Sequence, residues 1–365
     1  INMSNLFAMV TLKSSHPYTG YAIESFFKNT ELYDNDEFLL IDNDGCELNK
    51  FSFYKKIESL FIVEKPDWVL VYGDTNSTLA GGLSAVKLDI PLAHVEAGLR
   101  TDDKFNPFPE EINRRVVDVI ADLHFAPTEL AKRNLLDEGV NPKRIYLTGN
   151  TVIDALLLTV RSINGGSQDW SESANAPDDI PIALANLLRI GHGKRMILVT
   201  GHRRESFGST FSGICHALKD LVIRNPDVVI VYPVHMNPNV KGPVYEILGN
   251  VEGVHLIDPP SYPGFVWLMC KSHMILTDSG GVQEEAPSLG KPVLIMRNVT
   301  ERPEGVEAGC AKVVGVNSQD IVRETERLLN DGDEHTRMSL STNPYGDGHS
   351  SPRIVDAIAQ WATHL

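Results

Sequence analysis

Apolar and polar positions along this chain fall into a repeating pattern of a short β-branched run, a polar turn and a longer segment with helical spacing. Trp68–Tyr72 ends at Gly73-Asp74, a small-residue helix is expected over 77–88, and the run 91–95 ends at Glu96. Two more helices are expected over 109–121 and 129–139. The first opens on Pro109 and two glutamates, which suit the first helical position and the positive end of the helix dipole. Residues 163–192 break the rhythm with a polar stretch rich in Gly, Ser and Asp, the composition of a linker or surface insertion. Beyond it, strands over 196–199, 227–234, 255–257, 274–276 and 292–296 alternate with helices, and 351–365 reads as a final helix. This alternation predicts an α/β fold with parallel sheets. It divides into a Rossmann-like domain over 1–162, a linker over 163–192, a second Rossmann-like domain over 193–350 and a C-terminal helix over 351–365. The simplest arrangement has the two domains facing across a cleft.

A length of 365 residues suits two domains, and 42% hydrophobic with 22% charged residues is ordinary for a globular protein. The net charge of −15 repels phosphate backbones and anionic lipids, which argues against nucleic acid or a membrane surface as partner. An anionic ligand must therefore be held by local Arg, His or helix N-termini. No apolar run approaches the ~20 residues needed to span a bilayer. The opening INMSNLFAMV lacks a basic start followed by an apolar block, and Cys46, Cys215, Cys270 and Cys310 show neither CxxC nor metal-finger spacing. A cytoplasmic protein with reduced thiols is expected. No metal is expected, because neither His202 nor His235 has a ligand-spaced neighbour.

In open parallel sheets, ligands bind beyond the carboxyl ends of the strands. The polar residues expected there are Asp74, Glu96, His202, His235 and Ser279. Any one alone is most simply a helix cap or turn former; Asp74, Glu96 and His202 together favour a site. Asp278-Ser279-Gly280-Gly281 followed by a helix offers unpaired amides to a phosphate, although the glycines alone also suit a tight turn. Glu285, one turn into that helix, could accept from ribose hydroxyls or be an ordinary solvated charge. His202-Arg203-Arg204 places three potential cations after a strand, a seat for a diphosphate or a surface loop with internal ion pairs. Glu110 and Arg114 stand four residues apart, the spacing of a structural salt bridge. With the HVEAGLR segment supplying another carboxylate, they also suit general acid/base work.

From about Glu64 onward the motifs VYGDTNST, HVEAGLRT, PFPEEINR, HFAPTE, LTGNTVIDAL, VTGHRRESFG, VYPVHMNPNV, FVWLM, LTDSGGVQEEAPSLGKPV, TERPE and NPYGDG follow in one order. In this the chain resembles the non-hydrolysing UDP-N-acetylglucosamine 2-epimerases, of bacterial type. The resemblance implies a GT-B-like fold and inversion of sugar C2 between UDP-GlcNAc and UDP-ManNAc. The reaction proceeds by anti elimination of UDP to a 2-acetamidoglucal and re-addition, with no cofactor and no metal. It implies Asp74, Glu96 and Glu110 as acid/base carboxylates, with Arg114 holding them and His202 near the diphosphate. Ser279, Gly280, Gly281, Glu285, Phe265 and Arg302 would bind UDP, with Phe265 near the uracil. Arg203 and His235 match positions that bind an activating second UDP-GlcNAc. A homodimer and a role in polysaccharide biosynthesis are expected on the same ground.

The chain departs from the family at its start, where no GTRPE loop occurs before Glu64. One alignment makes residues 9–27 the family's second strand and helix, with Ser15-His16 in place of the usual Gln-His. A central strand and a nucleotide-contacting Arg are then missing from the chain. The other makes Leu6–Leu12 the first strand and Lys13–Pro17 a degenerate loop. The first fits the following Phe26-Phe27 and Asp36–Leu39 better, and with Ser15 for Gln it predicts weak activation and low turnover. The rival functions are a GT-B glycosyltransferase, a hydrolysing epimerase, and a UDP-sugar-binding protein that has lost catalysis.

Overall fold

The computed structural model describes residues 6–10, 37–41, 50–105, 107–165, 176–188, 193–203 and 206–362. Ser15–Pro17, Arg204 and most of the polar stretch after Ile163 lie outside the described residues.

The chain divides into two units, Ile1–Ala155 with Tyr345–Leu365, and Leu156–Pro344. The first carries a parallel sheet of β1 (Leu6–Val10), β2 (Glu37–Ile41), β3 (Trp68–Tyr72), β4 (Leu92–Val95), β5 (Leu123–Ala126) and β6 (Ile145–Leu147), in the order β2-β1-β3-β4-β5-β6. Its helices are α1 (Lys50–Glu64), α2 (Asn76–Lys87), α3 (Glu110–Ile120), α4 (Glu129–Asp137) and the start of α5 (Thr151–Ile163). β1 stands between β2 and β3, in register with both, in the interior position that the better-fitting alignment leaves without a strand.

β3 is buried on both faces, which is why it reads as a continuous apolar run rather than an alternating one. Val69 and Val71 pack with Ile57, Phe61 and Leu92 on one side. Trp68 and Leu70 pack on the other with Val95, Phe125 and the C-terminal helix α14 (Ser350–Ala362) through Ile354, Ala357 and Ile358. The Trp68 and Trp361 rings meet edge to face at 5.4 Å. This packing explains why the C-terminal segment joins the first unit from Tyr345, six residues after the end of the preceding helix and ahead of the boundary at 350 drawn from sequence.

The second unit holds β7 (Arg195–Thr200), β8 (Val228–Pro233), β9 (Val254–Ile257), β10 (Met274–Thr277), β11 (Val293–Ile295) and β12 (Ala311–Val313), parallel and in the order β12-β11-β10-β7-β8-β9. Around them run α6 (Ile182–Leu187), α7 (Ser209–Arg224), α8 (Pro238–Leu248), α9 (Tyr262–Lys271), α10 (Gly280–Ser288), α11 (Pro303–Glu307), α12 (Ser318–Asn330) and α13 (Gly332–Ser339). The division between units falls inside α5, earlier than the boundary at 162, and α6 lies within the stretch read as linker. Strand order reverses between β7 and β10, so the loops after these two strands flank the crevice where such sheets bind ligands. Among the described residues, no helix is long and apolar enough to cross a membrane.

Candidate active site

On the first unit, the ends of β3 and β4 converge. Gly73 takes a left-handed φ of 68° and its amide donates to the Val95 carbonyl at 3.1 Å. Thr75 then caps α2, its side chain accepting from the Thr78 amide, so Asp74 stands between a fixed strand end and a fixed helix start. One strand over, Glu96 is itself left-handed, at φ 70°, a conformation costly for a residue with a Cβ. Its carboxylate lies over Gly73: a Cβ there would meet Glu96 Oε2 at 3.1 Å. Asn150 Nδ2 donates to Glu96 Oε1 at 3.1 Å, and Asn150 Oδ1 accepts from the Tyr72 hydroxyl.

The spacing of Glu110 and Arg114 suggested an ion pair that does not form. The buried Arg114 guanidinium pairs instead with Asp74, at 2.5 Å, and with Glu111, at 3.3 Å. Asn113, beside it on α3, donates to the Asp74 carbonyl at 2.8 Å. Glu110 is the first residue of α3, Pro109 standing at the N-cap rather than the first helical position. The buried Oε2 of Glu110 has no hydrogen-bond partner among the described residues. Asp74, Glu96, Glu110 and Arg114 are thus set by three neighbouring segments of one unit. Asn113, Asn150 and Tyr72 were missed. Asn150 follows β6 as Asp74 follows β3, so the strand-end rule that found the carboxylates could have found it.

On the second unit, the loops after β7 and β10 are tied by Asp278. Its Oδ2 accepts from the backbone amides of His202, at 2.7 Å, and Arg203, at 2.9 Å, while His202 Nδ1 stands 3.3 Å from Oδ1. The His202 ring stacks on His235, with centroids 5.4 Å apart, so these two expected residues are neighbours. Ser279 caps α10 by backbone position, without a side-chain hydrogen bond, and Gly280 and Gly281 open the helix. Measured from the position of a Cβ at Gly280, the guanidinium nitrogens of Arg302 and Arg203 lie 3.7 and 3.8 Å away. A helix start opening on Gly280 and Gly281 with two flanking guanidiniums is an anion seat in an otherwise acidic chain. Arg302 is held by Glu284, at 2.5 Å.

Glu285 is not a solvated helix charge. It is buried on α10, and its Oε1 accepts from the hydroxyl of Tyr262 on α9. Burial raises its pKa to about 8, against the hydrogen bond from Tyr262 and helped by the neighbouring Glu284. Phe265, on the same helix as Tyr262, is 3% exposed and part of the interior.

The chain matches the model of the UDP-N-acetylglucosamine 2-epimerase family over residues 23–359. It is 54% identical to the UDP-N-acetylglucosamine 2-epimerase of Escherichia coli K12 over 294 residues, 80% of this chain and 76% of that one. The Campylobacter jejuni protein of that name is 49% identical over 80% of this chain and 75% of its own. Among solved structures, the S. aureus MnaA–UDP co-structure superposes with a TM-score of 0.86 at 37% identity, covering 99% of this chain and 98% of that one. The Neisseria meningitidis UDP-GlcNAc 2-epimerase bound to UDP-GlcNAc gives 0.84 at 35%, covering 98% and 100%. The fold is α/β and GT-B-like. With the sequence match spanning most of both units and the carboxylate set and the anion seat each falling on strand ends inside it, the chain belongs to the UDP-N-acetylglucosamine 2-epimerase family.

Proposed function

We propose that this chain interconverts UDP-GlcNAc and UDP-ManNAc by removing the proton at sugar C2, expelling UDP from C1, and re-adding UDP after a proton returns to the opposite face of C2. The observation that carries the reading is the carboxylate set of the first unit, in which Asp74 is held by Arg114 and Glu96 by Asn150. A weakly acidic C–H needs a positioned base, and the second face of C2 needs a proton donor. Asp74, Glu96 and Glu110 supply these. Glu110, with its buried Oε2 unpaired among the described residues, is the one least committed to internal partners.

The leaving diphosphate is held by Ser279, Gly280 and Gly281 at the start of α10, with Arg302 and His202 providing donors. Glu285 contacts ribose and Phe265 lies towards the uracil. Arg203 and His235 form the site of an activating second UDP-GlcNAc. The mechanism asks for no cofactor and no metal. A homodimer fits the apolar residues that adjacent helices expose, Leu83 and Val86 on α2 and Val119 on α3. The place of action is the cytoplasm and the product feeds polysaccharide synthesis. The glycosyltransferase, hydrolysing and catalysis-lost alternatives are not favoured, since the relatives carry the epimerase name at about half identity.

The test is NMR of UDP-GlcNAc incubated with the chain in D2O. UDP-ManNAc should form and deuterium should enter C2 of both epimers. Free ManNAc would refute the re-addition of UDP, and conversion without deuterium would refute the elimination route.

A further inference from the structure

The proton-transfer scheme leaves one fully buried charged group of the first unit without a task. His94, on β4, is 0% exposed, and both of its ring nitrogens face acceptors. Nδ1 lies 2.6 Å from Asp118 Oδ1, and Nε2 lies 2.8 Å from the Gly73 carbonyl oxygen. A carbonyl can only accept, so Nε2 carries a proton. Asp118 faces the Arg100 guanidinium and the Gly98 amide with its other oxygen, which holds it as an ionised carboxylate, so Nδ1 carries the other. The ring is an imidazolium.

The surroundings of His94 are consistent with that charge. Asp118 of α3 is buried beside it and also accepts, through Oδ2, from Arg100 Nη2 at 2.7 Å and the Gly98 amide at 3.1 Å. Glu96 lies just past the end of its own strand. From β5, His124 is its register partner, and His124 Nε2 donates to the Asp118 carbonyl. Burial penalises a charged ring here, but Asp118, the Gly73 carbonyl and Glu96 together raise the pKa of His94 above the ordinary histidine value. Burial in turn lowers that of His124, so the two rings divide into one charged and one neutral.

The Gly73 carbonyl is one side of the planar peptide unit whose other side is the Asp74 amide. The preceding amide of Gly73 is bonded to Val95, on the same strand as His94. Both peptide groups of this left-handed residue are therefore anchored to β4, and the direction in which Asp74 leaves the strand is set from there. We propose that His94 is a positioning residue for the epimerisation: as a buried imidazolium it clamps the Gly73 carbonyl and so aims the Asp74 carboxylate at the sugar, next to Glu96. This rests on the epimerase reading above.

Asparagine and glutamine separate the two contacts. The amide nitrogen of Asn reaches where Nδ1 stands, and that of Gln reaches where Nε2 stands. His94→Asn keeps the donor to Asp118 and loses the clamp; His94→Gln keeps the clamp and loses Asp118. Misaiming a reacting group by about an ångström costs on the order of 100-fold in rate. The His94→Asn chain should accordingly lose about 100-fold in kcat with KM for UDP-GlcNAc held within roughly threefold. The His94→Gln chain should keep most of kcat even where its melting temperature is the lower of the two. In the 15N spectrum of the wild-type chain at neutral pH, both ring nitrogens of His94 should carry protons. A wild-type chain that does not convert UDP-GlcNAc would sink the epimerase reading and this role with it. An active wild type with equal kcat in the two variants, or a His94 ring whose Nε2 carries no proton, would overturn the positioning role alone.

Discussion

Arg114 reaches Asp74 rather than Glu110. The guanidinium crosses from α3 to the loop after β3 and meets the Asp74 carboxylate at 2.5 Å, although Glu110 lies one turn before it on the same helix. Its second partner is Glu111, three residues back and fully buried. A buried cation thus stands between one carboxylate of the core and one of the site, and Glu110 is left out of the pairing.

Removing that cation should cost both stability and rate. Arg114→Leu takes the cation from Asp74 and leaves the buried Glu111 paired with Arg115, and breaking a buried pair typically costs about 3–5 kcal/mol. Arg114→Lys keeps the charge but not the fork, so it should lose less stability than the leucine variant. Urea unfolding of the whole chain checks this. Equal midpoints for Leu and wild type would show that Arg114 does not hold the site together.

Changing a general acid or base to its amide keeps shape and removes the proton-transfer function. Asp74→Asn, Glu96→Gln and Glu110→Gln should each lower turnover of UDP-GlcNAc by about 10²–10⁴-fold. Glu110→Gln should do so with the least change in melting temperature, since its Oε2 has no partner among the described residues to lose. Turnover within a few-fold of wild type in all three would remove them from the chemistry.

The strands and the carboxylates were legible from sequence for one reason. In a parallel sheet the buried strands are continuous apolar runs, and the first polar residue after each run marks the ligand end. That logic reached Asp74, Glu96, His202 and Ser279. It failed where partner choice depends on three-dimensional packing. Helical spacing offered Glu110 to Arg114, but spacing does not know that the loop after β3 brings Asp74 within reach. For Glu285 a ribose contact and a solvated charge both stood open, because the sequence does not reveal that Tyr262, 23 residues earlier, bonds its buried carboxyl. The C-terminal helix was recognised as a helix, yet its place against Trp68 depends on a contact between residues far apart in sequence, Trp68 and Trp361.

Two glycines at strand ends should respond differently to alanine. At Gly98, φ is 85° and a Cβ would stand 2.2 Å from the Ala131 carbonyl oxygen, a backbone atom that cannot yield. Gly98→Ala should therefore be strongly destabilising. At Gly73 the obstacle is the movable Glu96 carboxylate, so Gly73→Ala should cost only the left-handed strain, about 1–2 kcal/mol, while displacing Glu96. Its loss of turnover should exceed what the change in folded population explains. Thermal melts alongside kcat for the two variants make the comparison, and a Gly98→Ala chain as stable as Gly73→Ala would contradict it.

Glu285 gives a pH dependence with a definite sign. Its carboxyl has a folded pKa of about 8 against an ordinary 4.5, so between these values the folded chain keeps a proton that the unfolded chain has released. Stability from this group is full below pH 4.5 and is lost as pH rises towards 8. His273 works in the opposite direction at lower pH. Burial and the stacked His335 lower its pKa to about 4 from 6.5, so stability falls as pH drops through that window. Above pH 6.5 that contribution is constant, but the raised pKa of His94 also lowers stability with rising pH there. The Glu285 share is therefore the difference between wild-type and Glu285→Gln scans from pH 6.5 to 8. Over that interval the wild-type chain should lose about 2 kcal/mol through this group, at about 1.4 kcal/mol per pH unit. Glutamine mimics the protonated carboxyl at every pH. Glu285→Gln should therefore lessen the slope and retain UDP binding at pH 7. Urea unfolding and calorimetric titration with UDP at each pH measure both, and a slope in the glutamine variant equal to that of wild type would mean that Glu285 is already ionised in the folded chain.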